Sequence, residues 1–82
     1  MADLKIQVFK SGEEKPETTV TIPGDIIKVA YKLFPKRVAT ALQDNGIDID
    51  KMINLATNRR AQGTLVEVEE HKEKKRIVIS LE

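Results

Sequence analysis

The chain has 82 residues, the size of one small domain, and this leaves no room for a second hydrophobic core. Its 14 basic and 13 acidic residues nearly cancel, so the composition does not indicate a dedicated polyanion-binding protein. The absence of cysteine excludes disulfides, thiolate metal sites and thiol nucleophiles, and it makes a reducing cytoplasm the expected location.

Residues 4–9 and 18–22 are predicted to form the two strands of a β-hairpin. In the first segment, apolar side chains occupy every second position, which is the period of a strand with one buried face. The second segment is rich in the β-branched residues threonine, valine and isoleucine, which favour strands. Residues 11–17 contain glycine, proline and several charged side chains, a composition typical of the connecting loop.

Three helices are predicted between residues 23 and 62. The first begins at Pro23, and its apolar residues cover most of the helix circumference, so we expect it to be a central element of the core. Pro35 ends this helix and begins the next. The second and third helices carry apolar stripes at the spacing i, i+3, i+4. These stripes consist of Val38, Ala41 and Leu42 in the second helix, and of Ile49, Met52, Ile53 and Ala56 in the third.

Two further strands are predicted at residues 64–69 and 76–80, on either side of a charged loop. The element order β-β-α-α-α-β-β predicts an α+β fold, in which a four-stranded, mainly antiparallel sheet carries helices on one face. We expect residues 1–82 to form a single domain. The final Leu81 and Glu82 match the remnant of a purification tag, although Leu81 also continues the strand alternation.

The segment 44–50, with the sequence DNGIDID, has the composition of a cation site. An EF-hand loop aligned on Gly46 would need carboxylates where the chain has Ala41 and Met52, so the calcium interpretation fails. A joint between two helices explains the residues better. Gly46 can end the second helix in the left-handed conformation, and the Asp48 carboxylate can cap the third. We therefore expect a helix connection here and no metal ion.

The sequence contains no recognisable set of catalytic residues. The single histidine, His71, has no partners at metal-ligand spacing. Ser11 and Ser80 lack a neighbouring base, and the four glycines are too scattered to form a phosphate-binding loop. The longest apolar run has three residues, so we expect no membrane span and no secretory signal. These observations favour a protein that is not an enzyme and has no cofactor.

Two surfaces remain as candidates for binding. Strand alternation that turns the core residues inward would turn Phe9, Leu65 and Val78 outward, and this apolar patch could bind a protein partner or a second copy. Residues 26–63 contain seven basic and three acidic residues, which is the pattern of a basic nucleic-acid-binding face. The proposed nucleic-acid contacts are Lys28, Lys32, Lys36, Arg37, Arg59 and Arg60. We favour the protein-interaction hypothesis and retain nucleic-acid binding as the alternative.

The segments VTIPGDIIKVAYKLFPKRVATALQDNGIDIDKMINLA, GTLVEVEE and KRIVISLE together resemble a small bacterial domain family. This domain is found alone or after a short SHOCT-like segment in proteins of the YvlB and LiaX type. The resemblance implies a regulatory or cell-envelope-stress role without a catalytic mechanism. It does not assign a function to any individual residue of this chain. Its marks are caps, turns and core positions, namely Ile22-Pro23, Leu33-Phe34-Pro35, Gly46-Ile47-Asp48 and Gly63-Thr64-Leu65-Val66.

Overall fold

A computed structural model describes residues 2–57 and 62–82, and these form a four-stranded antiparallel sheet with helices on one face. The strands have the spatial order β2-β1-β4-β3. The predicted α+β class and element order are confirmed. In chain order the elements are β1 (Leu4–Lys10), β2 (Thr18–Ile22), a 3₁₀ helix (Gly24–Lys32), α1 (Lys36–Asp44), α2 (Ile49–Ala56), β3 (Gly63–Glu70) and β4 (Lys75–Leu81).

The two central strands join the beginning of the chain to its end. β1 pairs with β4 from Leu4 opposite Leu81 to Lys10 opposite Lys75. Asp3 and Glu82 continue this pairing, because their backbones exchange two hydrogen bonds of 3.0 Å. Leu81 is buried in the core. The last two residues are therefore part of the sheet in this structure.

The core lies between one face of the sheet and the helices. Alternate residues of β1 and β4 point into it, as the strand period predicted. Both predicted helical stripes are confirmed as the buried faces of α1 and α2, with only Ile49 partly exposed. The main contributors are Leu4, Ile6 and Val8 from β1, Ile77, Ile79 and Leu81 from β4, Val38, Ala41 and Leu42 from α1, and Met52, Ile53 and Ala56 from α2.

The connection between α1 and α2 has the predicted glycine stop. Gly46 has a φ of 75°, in the left-handed region. The Ile47 N–H donates to the Leu42 carbonyl at 2.9 Å, and the Gly46 N–H donates to the Gln43 carbonyl at 3.0 Å. This pair of hydrogen bonds is the Schellman motif, and it satisfies carbonyl groups that the end of α1 would otherwise leave free.

The predicted cap of α2 is also confirmed. The Asp48 side chain accepts hydrogen bonds from the backbone N–H groups of Asp50 at 2.9 Å and Lys51 at 3.4 Å. Asp50 lies in the first turn, where the positive end of the helix dipole favours a carboxylate. The segment 44–50 therefore ends α1 and begins α2.

The first predicted helix differs from expectation. Gly24–Lys32 is a 3₁₀ helix that packs against α2 and β2. A 3₁₀ helix has three residues per turn, so Ile27 and Ala30 lie in one row, which is buried. Ile26 and Val29 lie in another row, which is exposed. The expected central position in the core is wrong, because the tighter turn separates apolar side chains that an α-helix would group together.

Candidate interaction surface

Among residues 2–57 and 62–82, five large apolar side chains are exposed on the helical side of the molecule, each between 38 and 49%. Four of them fall within residues 26–33, and the fifth is on α2, which packs against the 3₁₀ helix. A concentration of this kind differs from the scattered apolar residues of an ordinary surface. We call these residues the apolar helix surface: Ile26, Val29, Tyr31, Leu33 and Leu55.

Contacts at both ends hold the 3₁₀ helix in place. At its beginning, the Gly24 N–H donates to the Asp3 carboxylate at 3.1 Å. At its end, the Leu33 N–H closes the last turn of the helix itself by donating to the Ala30 carbonyl at 2.8 Å. Phe34 then enters the core. These anchors present the intervening apolar side chains in a defined arrangement.

Charged residues of both signs accompany this surface. Asp25 lies in the first turn of the 3₁₀ helix and Lys32 in the last, which suits the helix dipole at both ends. The Lys32 ammonium is 5.8 Å from the centroid of the Tyr31 ring, within range of a cation–π contact. Over residues 2–57 and 62–82, Asp25, Lys28 and Lys32 take part in no ion pair. Their charges remain open to a partner.

The apolar patch expected on the open face of the sheet is arranged differently. Phe9 is only 8% exposed, because the Arg76 guanidinium covers its ring at 4.7 Å from the centroid. Leu65 lies at a bulge in β3 and packs partly buried against the core. Val78 is half-buried between polar neighbours. The expected exposure of Phe9 is wrong, and this set offers much less apolar area than the apolar helix surface.

The predicted nucleic-acid contacts do not share one environment. Three of them are exposed lysines, namely Lys28, Lys32 and Lys36. Arg37 is exposed but already bound within the protein. Arg59 and Arg60 lie outside the described residues. Arg37 donates to the Thr18 hydroxyl at 2.9 Å and lies 3.5 Å from the Glu17 carboxylate. Lys28 and Lys32 lie in the same chain segment as most of the apolar helix surface, and Lys36 follows shortly after it, at the start of α1.

Glu17, in the loop between β1 and β2, is the centre of the main charge cluster. Its carboxylate lies 2.6 Å from the Lys75 ammonium, 3.5 Å from Arg37 and 4.0 Å from Lys10. The hydrogen bond from Lys75 lowers the pKa of Glu17 despite some loss of hydration, and the same bond raises the pKa of Lys75. The cluster links this loop to α1 and β4, which gives it a structural role.

The described part of the chain offers little for other chemistry. It contains no group of three or more His, Cys, Asp or Glu side chains that could hold a metal ion. His71 is exposed in the β3–β4 turn, next to Glu70, whose carboxylate accepts two backbone N–H groups of that turn. An open depression of about 590 Å³ between α1 and this turn is lined mainly by charged side chains of both signs. None of the helices described here is long and apolar enough to cross a membrane.

The chain matches a known protein family. Residues 3–80 match the family described as YvlB-like protein, C-terminal domain. No curated protein and no solved structure matches the chain. The matched region includes every strand and helix of the fold, apart from the last residue of β4.

Proposed function

The chain belongs to the YvlB-like C-terminal domain family, and we propose that it acts as a non-catalytic regulatory domain that binds protein through the apolar helix surface. The observation that supports this proposal is the exposure of four large apolar side chains within eight consecutive residues. Burying apolar area yields about 25 cal/mol per Å², so a partner that covered these side chains would gain binding energy without any further chemistry.

The arrangement of this surface resembles that of a protein interface. Fully buried interface centres are apolar and often contain tyrosine, while their rims are polar. Here Ile26, Val29 and Leu33 provide the apolar centre, and Tyr31 and Lys32 provide an aromatic side chain and a charge beside it. The segment is anchored at its beginning by the Gly24–Asp3 hydrogen bond and at its end by the burial of Phe34, so less conformational entropy would be lost on binding than with a mobile loop.

The non-catalytic part of the proposal depends on where the charged groups lie. The main cluster, around Glu17, consists of groups that pair with one another and hold the fold together.

We also place the domain in the cytoplasm, because a chain without cysteine is suited to a reducing compartment.

Site-specific photo-crosslinking tests the proposal. A photoreactive side chain at Val29 should form covalent adducts with protein in the native cell, because Val29 lies within the apolar helix surface. The same group at Thr19 is the matched control. Thr19 is an exposed β-branched residue of β2 that pairs with Gln7 of β1, on the sheet face that carries no helices. Equal labelling from both positions, or none from Val29, would contradict the proposal.

Nucleic-acid binding is the second candidate, favoured by the exposure of Lys28, Lys32 and Lys36 along one segment. It predicts binding to DNA or RNA that weakens steeply as salt rises, because each neutralised phosphate releases counterions. Amide NMR spectra recorded at low salt with duplex and single-stranded oligonucleotides would detect it. Spectra in which no amide signal shifts would exclude this candidate and leave the protein-interaction proposal unaffected.

A further inference from the structure

We infer that the apolar helix surface binds a second copy of this chain, with the two 3₁₀ helices packed antiparallel about a two-fold axis near Val29. The inference rests on the proposed function and specifies the partner. A two-fold interface brings the same patch of both subunits together, so the patch must be complementary to itself. The 3₁₀ helix fulfils this condition in both its charges and its apolar side chains.

The charges are complementary because they have opposite signs at opposite ends. Asp25 precedes Val29 by four residues and Lys32 follows it by three. With a rise of about 2.0 Å per residue, these positions are about 8 Å and 6 Å from the axis. In an antiparallel pair, Asp25 of one copy and Lys32 of the other are therefore about 2 Å apart along the helix direction. Asp25 lies in the neighbouring row, with Lys28 and Tyr31, a third of a turn from the row of Lys32, and the long Lys32 side chain spans this offset. The two-fold axis generates the resulting ion pair twice.

The apolar side chains are complementary in the same arrangement. Ile26, Val29 and Lys32 lie in one row of the 3₁₀ helix, and this row is exposed. Antiparallel packing places Val29 against Val29 of the second copy, and Ile26 against the aliphatic stem of Lys32. Leu33, one residue beyond the helix, is also exposed and lies beside Lys32 at each end of this contact.

Other partners would use this surface less completely. A nucleic acid would engage the lysines but would leave Ile26 and Val29 uncovered and Asp25 facing phosphate. One residue opposes the dimer, since Lys28 lies beside the axis and would approach Lys28 of the other copy. Its long stem lets the ammonium reach solvent, which reduces this repulsion without removing it. Lys28→Ala should consequently strengthen association.

Charge exchange between two variants gives a specific test in the purified 82-residue chain. Sedimentation equilibrium should show a monomer–dimer equilibrium for the wild type. Asp25→Lys and Lys32→Asp should each weaken dimerisation about tenfold or more, because each converts both ion pairs into like-charge contacts. An equimolar mixture of these two variants should dimerise again, since both contacts in the mixed dimer join opposite charges. All of these side chains are exposed, so both variants should fold as monomers, with melting temperatures lowered only by the loss of a favourable helix-dipole charge.

Each outcome either supports or overturns the inference. A wild type that stays monomeric at millimolar concentration overturns it, as does a mixture that associates no better than the separate variants. Crosslinking from Val29 to a different protein, without self-adducts, also overturns the second-copy inference but leaves the proposed function standing. Absence of any protein adduct from Val29 overturns both. Restored association in the mixture supports the antiparallel arrangement, because unrelated modes of self-association do not require these two charges to be complementary.

Discussion

Replacing Gly46 with alanine isolates one backbone conformation, because Gly46 has a φ of 75° and no atom outside residues 45–47 lies within 4 Å of the position a Cβ would occupy. The added methyl group therefore meets open space, and the cost of the substitution comes from the left-handed backbone alone. That conformation costs an L-residue about 1–2 kcal/mol. Alanine also makes the unfolded chain less flexible than glycine does, which offsets about 0.4–1 kcal/mol.

The expected net loss for Gly46→Ala is therefore about 1 kcal/mol of unfolding free energy. In a domain of this size, such a loss lowers the melting temperature by about 4–8 °C. Urea unfolding followed by circular dichroism measures it, and the denaturant slope should stay unchanged because the same surface is exposed on unfolding. Gly46→Asn should lose less, because asparagine tolerates the left-handed conformation better.

Two results would refute this reasoning. Alanine at least as stable as glycine would mean that the backbone at position 46 is not held in the left-handed region. Equal losses for alanine and asparagine would mean that the Schellman hydrogen bonds fail for a reason other than backbone strain. Calcium should leave the melting temperature of the wild type unchanged, because the carboxylate of Asp48 is engaged as a helix cap.

Three further predictions concern stability. Asp48→Ala should cost about 1 kcal/mol in urea unfolding, because two N–H groups of α2 lose their acceptor; a loss below about 0.3 kcal/mol would contradict the cap. Leu42→Ala should cost about 3–5 kcal/mol, because Leu42 is completely buried where α1 meets the core, whereas Leu55→Ala should change stability little. Glu17→Gln should lower stability near neutral pH, since it leaves three cations close together. The folded state lowers the pKa of Glu17 from its usual 4.5. The stability difference between wild type and Glu17→Gln should therefore be complete above pH 4.5 and disappear as pH falls through the folded-state pKa. A difference that persists in acid would contradict the ion-pair account.

Local chemistry made the helix joint and the sheet predictable from sequence. The hydrogen bonds around Gly46 and Asp48 join residues at most five positions apart, so the roles of these two residues can be read without the tertiary fold. The alternation in β1 and β4 is equally local, because successive side chains of any strand point to opposite faces. These residues determine the element order that the structure confirms.

The interaction surface could not be predicted in the same way. Positions 26, 27, 30, 33 and 34 fit the buried face of an α-helix, and periodicity alone does not reveal that the chain adopts the tighter 3₁₀ turn. The useful signal was the excess of apolar residues, which covered more of the circumference than one face of the core can bury. Burial of Phe9 depends on strand register, because the pairing of Phe9 with Arg76 brings the guanidinium over the ring.

The most direct test of the central claim is hydroxyl-radical labelling of the protein in its native cell, compared with the dilute purified chain. Tyr31 and Leu33 belong to the apolar helix surface, whereas His71 is exposed in the β3–β4 turn, outside that surface, and serves as the internal control. The proposed interaction predicts that Tyr31 and Leu33 are labelled several-fold less in the cell, while labelling of His71 stays the same. Equal labelling of all three residues in both conditions would show that the apolar helix surface is uncovered and would contradict the proposed function.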